Sequence, residues 1–325
     1  MEEITTESAI IIQYLPEDVL RQIFSHLDHI DLNSTSLVCR RFCSHSSPLV
    51  HELTLKDSFL TYSHFQRLFK RFSGVNKICI YNFSYLDNVL SAISNSGLNL
   101  EKLHLRLIHG GMNAALHPTL QTIEKMSTSR VIKGIKSLKL NLFDAQKEQT
   151  VVEFVNMLPS LTELDFSCCY FQWDDEGIHK VTSKLPNLKK INLTLNRWLT
   201  DKTLDILSSN CPKLESVNFE ECLKFSSEAF YKFCCNNPQL SSVDMPPSIS
   251  KVVECVQALR NLNRLSLDTN HLEDAVLIAL AESRPSLKSL VIRNAFGSNY
   301  TITGLSQLLA ACPGLESLNI SLPHH

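Results

Sequence analysis

The chain has 325 residues, 44% of them hydrophobic and 20% charged, with a formal net charge of -2. That length and apolar content allow a sizeable core and exclude a compositionally disordered protein. The near-neutral balance excludes the broad basic footprint of a nucleic-acid or anionic-membrane binder, so any electrostatic recognition must be local, and neither partner is expected.

Residues 1–9 read as a flexible acidic lead with Glu2, Glu3 and Glu7. The apolar run Ala9 to Ile12 is too short and wrongly flanked for a secretory signal. No stretch reaches the ~20 apolar residues of a membrane span. Without an export signal, the odd count of 11 cysteines points to reduced thiols in the cytosol or nucleus rather than a disulfide framework. Neighbouring pairs such as Cys168-Cys169 and Cys234-Cys235 do not have zinc-site spacing, and no metal or cofactor is expected.

In "YLPEDVLRQIFSHL", Val19, Leu20, Ile23, Phe24 and Leu27 form an apolar helical stripe. Pro16 is placed at the first helical position, with Glu17 and Asp18 in the first turn, where the helix dipole favours negative charge. Asp31 is the expected cap of a second helix through "LNSTSLVCRRFCSHS", whose apolar residues are Leu32, Leu37, Val38 and Phe42. The order Leu-Pro, helix, Leu27, Ile30-Asp31-Leu32, then Ser36-Leu37-Val38-Cys39-Arg40-Arg41-Phe42 resembles an F-box, with Phe42 where the family usually has tryptophan. The resemblance implies a small all-helical domain over residues 10–48. It also implies docking on a Skp-type adaptor and, through it, on a cullin scaffold carrying the ubiquitin-conjugating machinery. Leu15, Pro16, Leu20, Ile23, Leu32 and Val38 are the residues it assigns to that surface or its support.

From Val50 onward an apolar-x-x-apolar-x-apolar phrase recurs eleven times, from "VHELTL" to "LESLNI". Successive copies are 22 to 28 residues apart, except for one step of 35 between Leu100 and Ile135. The last two apolar residues of each phrase are two apart, which in a strand sends both to one buried face. Upstream of the prolines in "MLPSL", "KLPNL", "NCPKL", "NNPQL", "SRPSL" and "ACPGL" stand apolar pairs three residues apart: Val151/Phe154, Ile178/Val181, Leu204/Leu207, Phe230/Phe233, Leu277/Leu280 and Leu305/Leu308. Each pair marks one helix face, and the proline stops the helix. A unit of about 26 residues cannot bury its own faces, whereas a stack of units shares one core.

The repetition over residues 49–325 resembles the leucine-rich repeat family, in particular its cysteine-containing variety, best seen in "NCPKLESVNFEECLKFSSEAF" with Cys211 before the turn and Cys222 after the strand. Asn237 and Arg284 replace the turn cysteine in other copies. The expected fold is an α/β solenoid: a horseshoe of about eleven repeats, with parallel strands on the concave face and helices on the convex one. Its thiols are expected to be buried and structural.

The third, fifth and seventh positions of each phrase should face the concavity. They place Lys102, His104 and Arg106 in an early basic region with Lys56, Lys77 and Lys139, and Glu163, Asp165, Glu220 and Asp244 in an acidic middle. Arg264, Asp268 and Arg293 follow. Lys102, His104, Arg106, Glu163, Asp165, Glu220 and Asp244 are accordingly the expected target-binding residues. Gly110-Gly111, in the long step, lacks the lysine and hydroxyl of a phosphate-binding loop and reads as a turn. Asp174-Asp175-Glu176 reads as a helix start. No Ser/His/Asp or Cys/His set at nucleophile spacing can be assigned, so no catalytic residue is expected. The reading is a non-catalytic substrate receptor of a ubiquitin ligase whose protein target the sequence does not name. The alternatives are an interaction scaffold without ubiquitin transfer and a small-molecule-gated receptor. The last strand, near "NISLPHH", lacks a capping domain of its own and should be protected by its tail or by a partner.

Overall fold

All eleven phrases form strands in a computed structural model of the chain. The structure describes residues 14–56, 60–81, 86–106, 120–141, 148–168, 173–268, 272–283, 286–293 and 300–320. The acidic lead and Gly110-Gly111 lie outside them. The strands are β1 (Glu52–Lys56), β2 (Lys77–Tyr81), β3 (Lys102–Arg106), β4 (Ser137–Asn141), β5 (Glu163–Asp165), β6 (Lys190–Asn192), β7 (Ser216–Asn218), β8 (Ser242–Asp244), β9 (Arg264–Asp268), β10 (Ser289–Arg293) and β11 (Ser317–Ile320). They form one sheet in chain order. Every pairing is parallel. Equivalent positions of the phrases therefore stand in rows across the sheet.

The helix-face pairs behave as their spacing requires. Eleven of the twelve residues are buried, and Leu305 is packed against the core while partly exposed. Closely spaced strands on one side and wider helices on the other curve the stack, with the sheet lining the concave face. Strands β5 to β8 have three residues each, and an Asx turn follows the first three of them. Asp165, Asn192 and Asn218 accept the backbone N–H of Ser167, Thr194 and Glu220 at 2.9, 3.0 and 2.9 Å. The next residues, Cys168, Leu195 and Glu221, adopt left-handed backbone with φ of 58°, 66° and 59°.

The thiols are structural where the repeat is most regular. Cys211 and Cys222 are buried, and burial pushes both thiols up to about 12. Cys222 Sγ donates to the Leu193 carbonyl at 3.1 Å. Asn237, in the turn-cysteine position, is buried too, and its amide donates to Phe233 O at 2.8 Å and Ser208 Oγ at 2.9 Å. None of the ten cysteines among the described residues is disulfide-bonded, and Cys39 and Cys235 are exposed rather than buried.

A second ladder runs along the helix starts. Asp175, the first residue of helix Asp175–Thr182, accepts from Thr200 N at 2.9 Å, Thr200 Oγ1 at 2.6 Å and Thr203 Oγ1 at 2.6 Å. Asp201 holds Ser226 in the same way, through contacts of 2.7 Å to its N and Oγ, and Asp274 holds Thr301 through two more of 2.7 Å. Each aspartate thus ties the cap of the next helix to its own. Burial would raise the Asp175 pKa, but the hydrogen bonds from Thr200 and Thr203 outweigh it and hold the carboxyl below its ordinary value. Asp175→Ala, which leaves these donors without an acceptor, is expected to cost about 1–3 kcal/mol in denaturant unfolding. Because the folded pKa is the lower one, this contribution is complete above the unfolded value and fades as pH drops below about 4. The stability gap between wild type and Asp175→Asn should narrow over that range, and a gap independent of pH would exclude the charged ladder.

At the amino-terminal end, helices Glu17–Ser25, His29–Ser36 and Arg40–Ser46 form the small helical domain. Three expectations for this region are corrected. Pro16 caps the first helix from outside, with extended backbone (ψ 152°), and is not its first residue. The cap of the second helix is Asp28, whose carboxylate accepts from Ile30 N and Asp31 N at 2.9 and 2.8 Å. The expected single second helix is two, because Cys39 is extended (φ -158°, ψ 168°) and its sulfur caps Phe42 N at 3.4 Å.

This domain is joined tightly to the first repeat. Arg71, at the end of helix Tyr62–Arg71, donates from Nη2 to Ser36 Oγ at 2.8 Å and from Nε to Ser47 Oγ at 3.4 Å. A Cβ on Gly74 would stand 1.7 Å from the Pro48 carbonyl oxygen, so only glycine permits that close approach.

Candidate functional site

Two surfaces present side chains that the fold does not consume. The first lies on the helical domain. Leu20, Phe24 and Leu32 are buried, and the Phe24 and Phe42 rings meet edge to face at 5.2 Å. Leu20 and Leu32 therefore belong to the domain's own core, where they can support a docking surface but not form part of it. Leu15 is packed against the core while partly exposed, and its carbonyl accepts from Arg41 Nη2. Pro16 is exposed, as are Ile23 and Val38. Tyr14, Ile30 and Leu37, absent from the sequence-based set, are exposed as well, Leu37 at 79% and Val38 at 67%. The helix break at Cys39 releases Leu37 and Val38 from the packing that one continuous helix would impose. The stretch "SLVC" carried no signal of this break, because cysteine is not among the preferred helix caps.

The second surface is the concave face of the sheet. A cavity of about 470 Å³ opens there, lined by the middle row of side chains from His104 and Lys139 through Asp165, Asn192 and Asn218 to Asp244. Its acids are paired across the strands. Glu163 accepts a contact from Lys190 Nζ at 2.7 Å, and Asp165 one from Lys139 Nζ at 2.7 Å. Asp244, mostly buried, pairs with Arg264. Arg293 Nη1 stands 2.8 Å from Glu220 Oε2, off the N–H direction, so that contact is coulombic, while Nη2 donates to Met245 O at 2.9 Å. Burial would raise the Glu163 pKa, and the hydrogen bond and charge of Lys190 bring it below the ordinary value. Glu52 of β1 is similarly held by Lys77 at 2.9 Å.

The acidic middle inferred from strand positions is thus neutralised in place. Lys190, the partner of Glu163, was legible as the third residue of "LKKINL" but was not weighed there, because pairing depends on the neighbouring strand's register. Lys102 and Arg106 are exposed, and neither forms an ion pair among the described residues. His104 is half-buried beside Cys79, with Nδ1 3.6 Å from Sγ. Burial first, and then the charges of Lys77 and Lys139, lower its pKa. Burial pushes the Cys79 thiol up to about 11. Among the described residues no group of three or more His, Cys, Asp or Glu side chains could hold a metal, and no helix is long and apolar enough to cross a membrane.

Comparison with known proteins agrees with this architecture. Residues 12–49 match the F-box domain family, and residues 123–271 match the LRR repeats of the FBD-associated F-box protein At5g56370. The F-box protein MAX2 homolog A of Petunia hybrida is 25% identical over 366 aligned positions, covering 94% of this chain and 49% of that protein. F-box/LRR-repeat protein 4 of Bos taurus is 26% identical over 193 positions, covering 56% of this chain and 28% of that protein. The chain spans about half, or less, of the length of these curated relatives. Among solved structures, a chain of the Rad7 and Elc1 complex in yeast superposes with a TM-score of 0.56 at 15% identity, covering 97% of this chain and 95% of that one. The leucine-rich repeat-containing protein LegL7 from Legionella pneumophila gives 0.50 at 13%, covering 81% and 98%. Fold and matches together define a leucine-rich-repeat solenoid headed by a small helical F-box domain. The chain is similar to F-box proteins with leucine-rich repeats, through an F-box domain match at residues 12–49 and a repeat match over residues 123–271.

Proposed function

We propose that this protein is the substrate-recognition subunit of a Skp-cullin-F-box ubiquitin ligase, its F-box docking a Skp-type adaptor and its repeats capturing a target protein. The observation that carries this reading is the distribution of exposed apolar side chains. Of thirteen large ones among the described residues, five (Tyr14, Ile23, Ile30, Leu37 and Val38) fall in the short F-box. Scattered single residues of this kind need no explanation, whereas a concentration on one small domain marks a surface that a partner covers. The protein would supply orientation and local concentration of target lysines rather than a reacting group.

Reconstitution of the full chain with a purified Skp-type adaptor and cullin tests the proposal. A stable complex that ubiquitylates a protein held by the repeats is the expected result. Failure to bind the adaptor would overturn the reading, and binding without transfer to any held protein would favour the scaffold alternative.

A further inference from the structure

The charge pattern of the concave face identifies the chemistry of the target, given the receptor reading above. We infer that the captured protein presents an extended acidic segment that crosses β1 to β3 and is held by Lys56, Lys102 and Arg106, with Tyr81 between them.

Three observations carry this. The five concave acids described above each face a cation, so their charge is already spent. Lys56, Lys102 and Arg106, by contrast, are exposed and form no ion pair among the described residues. These three cations lie on β1 and β3, at the F-box end of the sheet, and leave a local positive excess on a chain whose net charge is -2.

The register also sets a spacing. Lys56, Tyr81 and Arg106 share one row, and Lys102 stands four residues before Arg106 on the same strand. Strands about 4.8 Å apart put the Cα atoms of Lys56 and Arg106 about 10 Å from each other, and four residues of strand put those of Lys102 and Arg106 about 13 Å apart. An extended peptide rises about 3.3 Å per residue, so acidic groups three residues apart match the Lys56–Arg106 interval across the strands, and groups four apart match the Lys102–Arg106 interval that runs along β3 at right angles to it. Tyr81, half-buried, offers a ring for the aliphatic stems between them.

At the other end the face is closed to such a ligand. Arg293 reaches from β10 to the Met245 carbonyl and Glu220, and Arg264 engages Asp244. A ligand there would have to break pairs already made, whereas at β1 to β3 it completes them. Three separated cations are too few for the phosphate tracking that nucleic-acid binding requires, which favours a peptide. Carboxylate and phosphate satisfy the same cations, so the segment can be rich in Asp and Glu or phosphorylated.

Fluorescence anisotropy of the full chain at low salt tests the inference with labelled Gly/Ser peptides carrying Glu at every third or at every fourth position, and with the same peptides carrying phosphoserine or Lys instead. Oligothymidylate of equal length is the nucleic-acid probe. Either acidic peptide is expected to bind, the tighter one identifying the source of the charge, while the Lys peptide is not. Lys56→Glu, Lys102→Glu and Arg106→Glu together should weaken that binding at least about tenfold. The same change of net charge on the helices, Lys180→Glu, Lys202→Glu and Lys232→Glu, should leave it within about twofold. Thermal melts verify that both variants fold, and the milder Lys56→Gln, Lys102→Gln, Arg106→Gln variant should give an intermediate loss. Equal binding of Glu and Lys peptides, acidic binding that survives the concave reversal, or tighter binding of oligothymidylate would each overturn the inference. Adaptor binding measured on the same samples separates the two ideas: its loss in the wild type sinks the receptor reading, and its retention without acidic preference sinks only this inference.

Discussion

Replacing Leu37 and Val38 together by aspartate is expected to weaken binding of a Skp-type adaptor by roughly a hundredfold or more while leaving the F-box folded. Both side chains are largely exposed, at 79% and 67%, so neither supports the domain's core. Burial of each against a partner would contribute about 1.5–3 kcal/mol, and two buried carboxylates would add a desolvation penalty. Titration calorimetry against purified adaptor measures the loss, and a thermal melt of the same variant verifies the fold. Leu20→Ala reaches the same end by another route. Leu20 is fully buried, so its truncation should cost about 2–5 kcal/mol of F-box stability and lower adaptor binding only as far as the domain unfolds. A Leu37/Val38 variant that binds like wild type would remove the exposed patch from the interface.

Phe219→Ala should be the most damaging single change in the repeats. The ring is fully buried, with the rings of Phe225, Phe233 and Phe230 at centroid distances of 5.3, 5.7 and 6.1 Å, all steeply inclined. Removing it deletes the shared member of an aromatic cluster that joins a strand to the following helix. Cavity formation there is expected to cost about 3–5 kcal/mol in denaturant unfolding. Because each repeat of a solenoid is stabilised chiefly by its neighbours, the loss should localise. Limited proteolysis is expected to nick the central repeats first and leave the F-box intact. Phe219→Leu, which keeps most of the volume, should cost far less, and equal costs for the two variants would exclude cavity formation as the cause.

The repeat architecture was legible because its determinants are local. The alternation within each phrase selects a strand and its apolar face, and the proline after each apolar pair stops the helix; all eleven strands follow from that, although the apolar pair of β11, Leu318 and Ile320, is exposed. The buried thiols were legible for the same reason, and Asn237 shows the position accepting a second chemistry once its amide finds Phe233 O and Ser208 Oγ. The landmarks of the F-box were likewise ordered in the sequence, although they did not reveal which of its apolar residues face inward.

The tertiary structure decided the matters that depend on partners distant in sequence. Leu20 and Leu32 turn inward and Leu37 and Val38 outward because the chain breaks at Cys39 and folds three helices onto one small core. The pairing of Glu163 with Lys190, Asp165 with Lys139 and Glu220 with Arg293 depends on strand register and on how far each side chain can reach across it. A sequence lists charges without stating which are already satisfied. In this protein that distinction moves the available charge on the concave face from an acidic middle to a basic end, since a paired carboxylate has little attraction left for a ligand while Lys102 and Arg106 form no ion pair among the described residues.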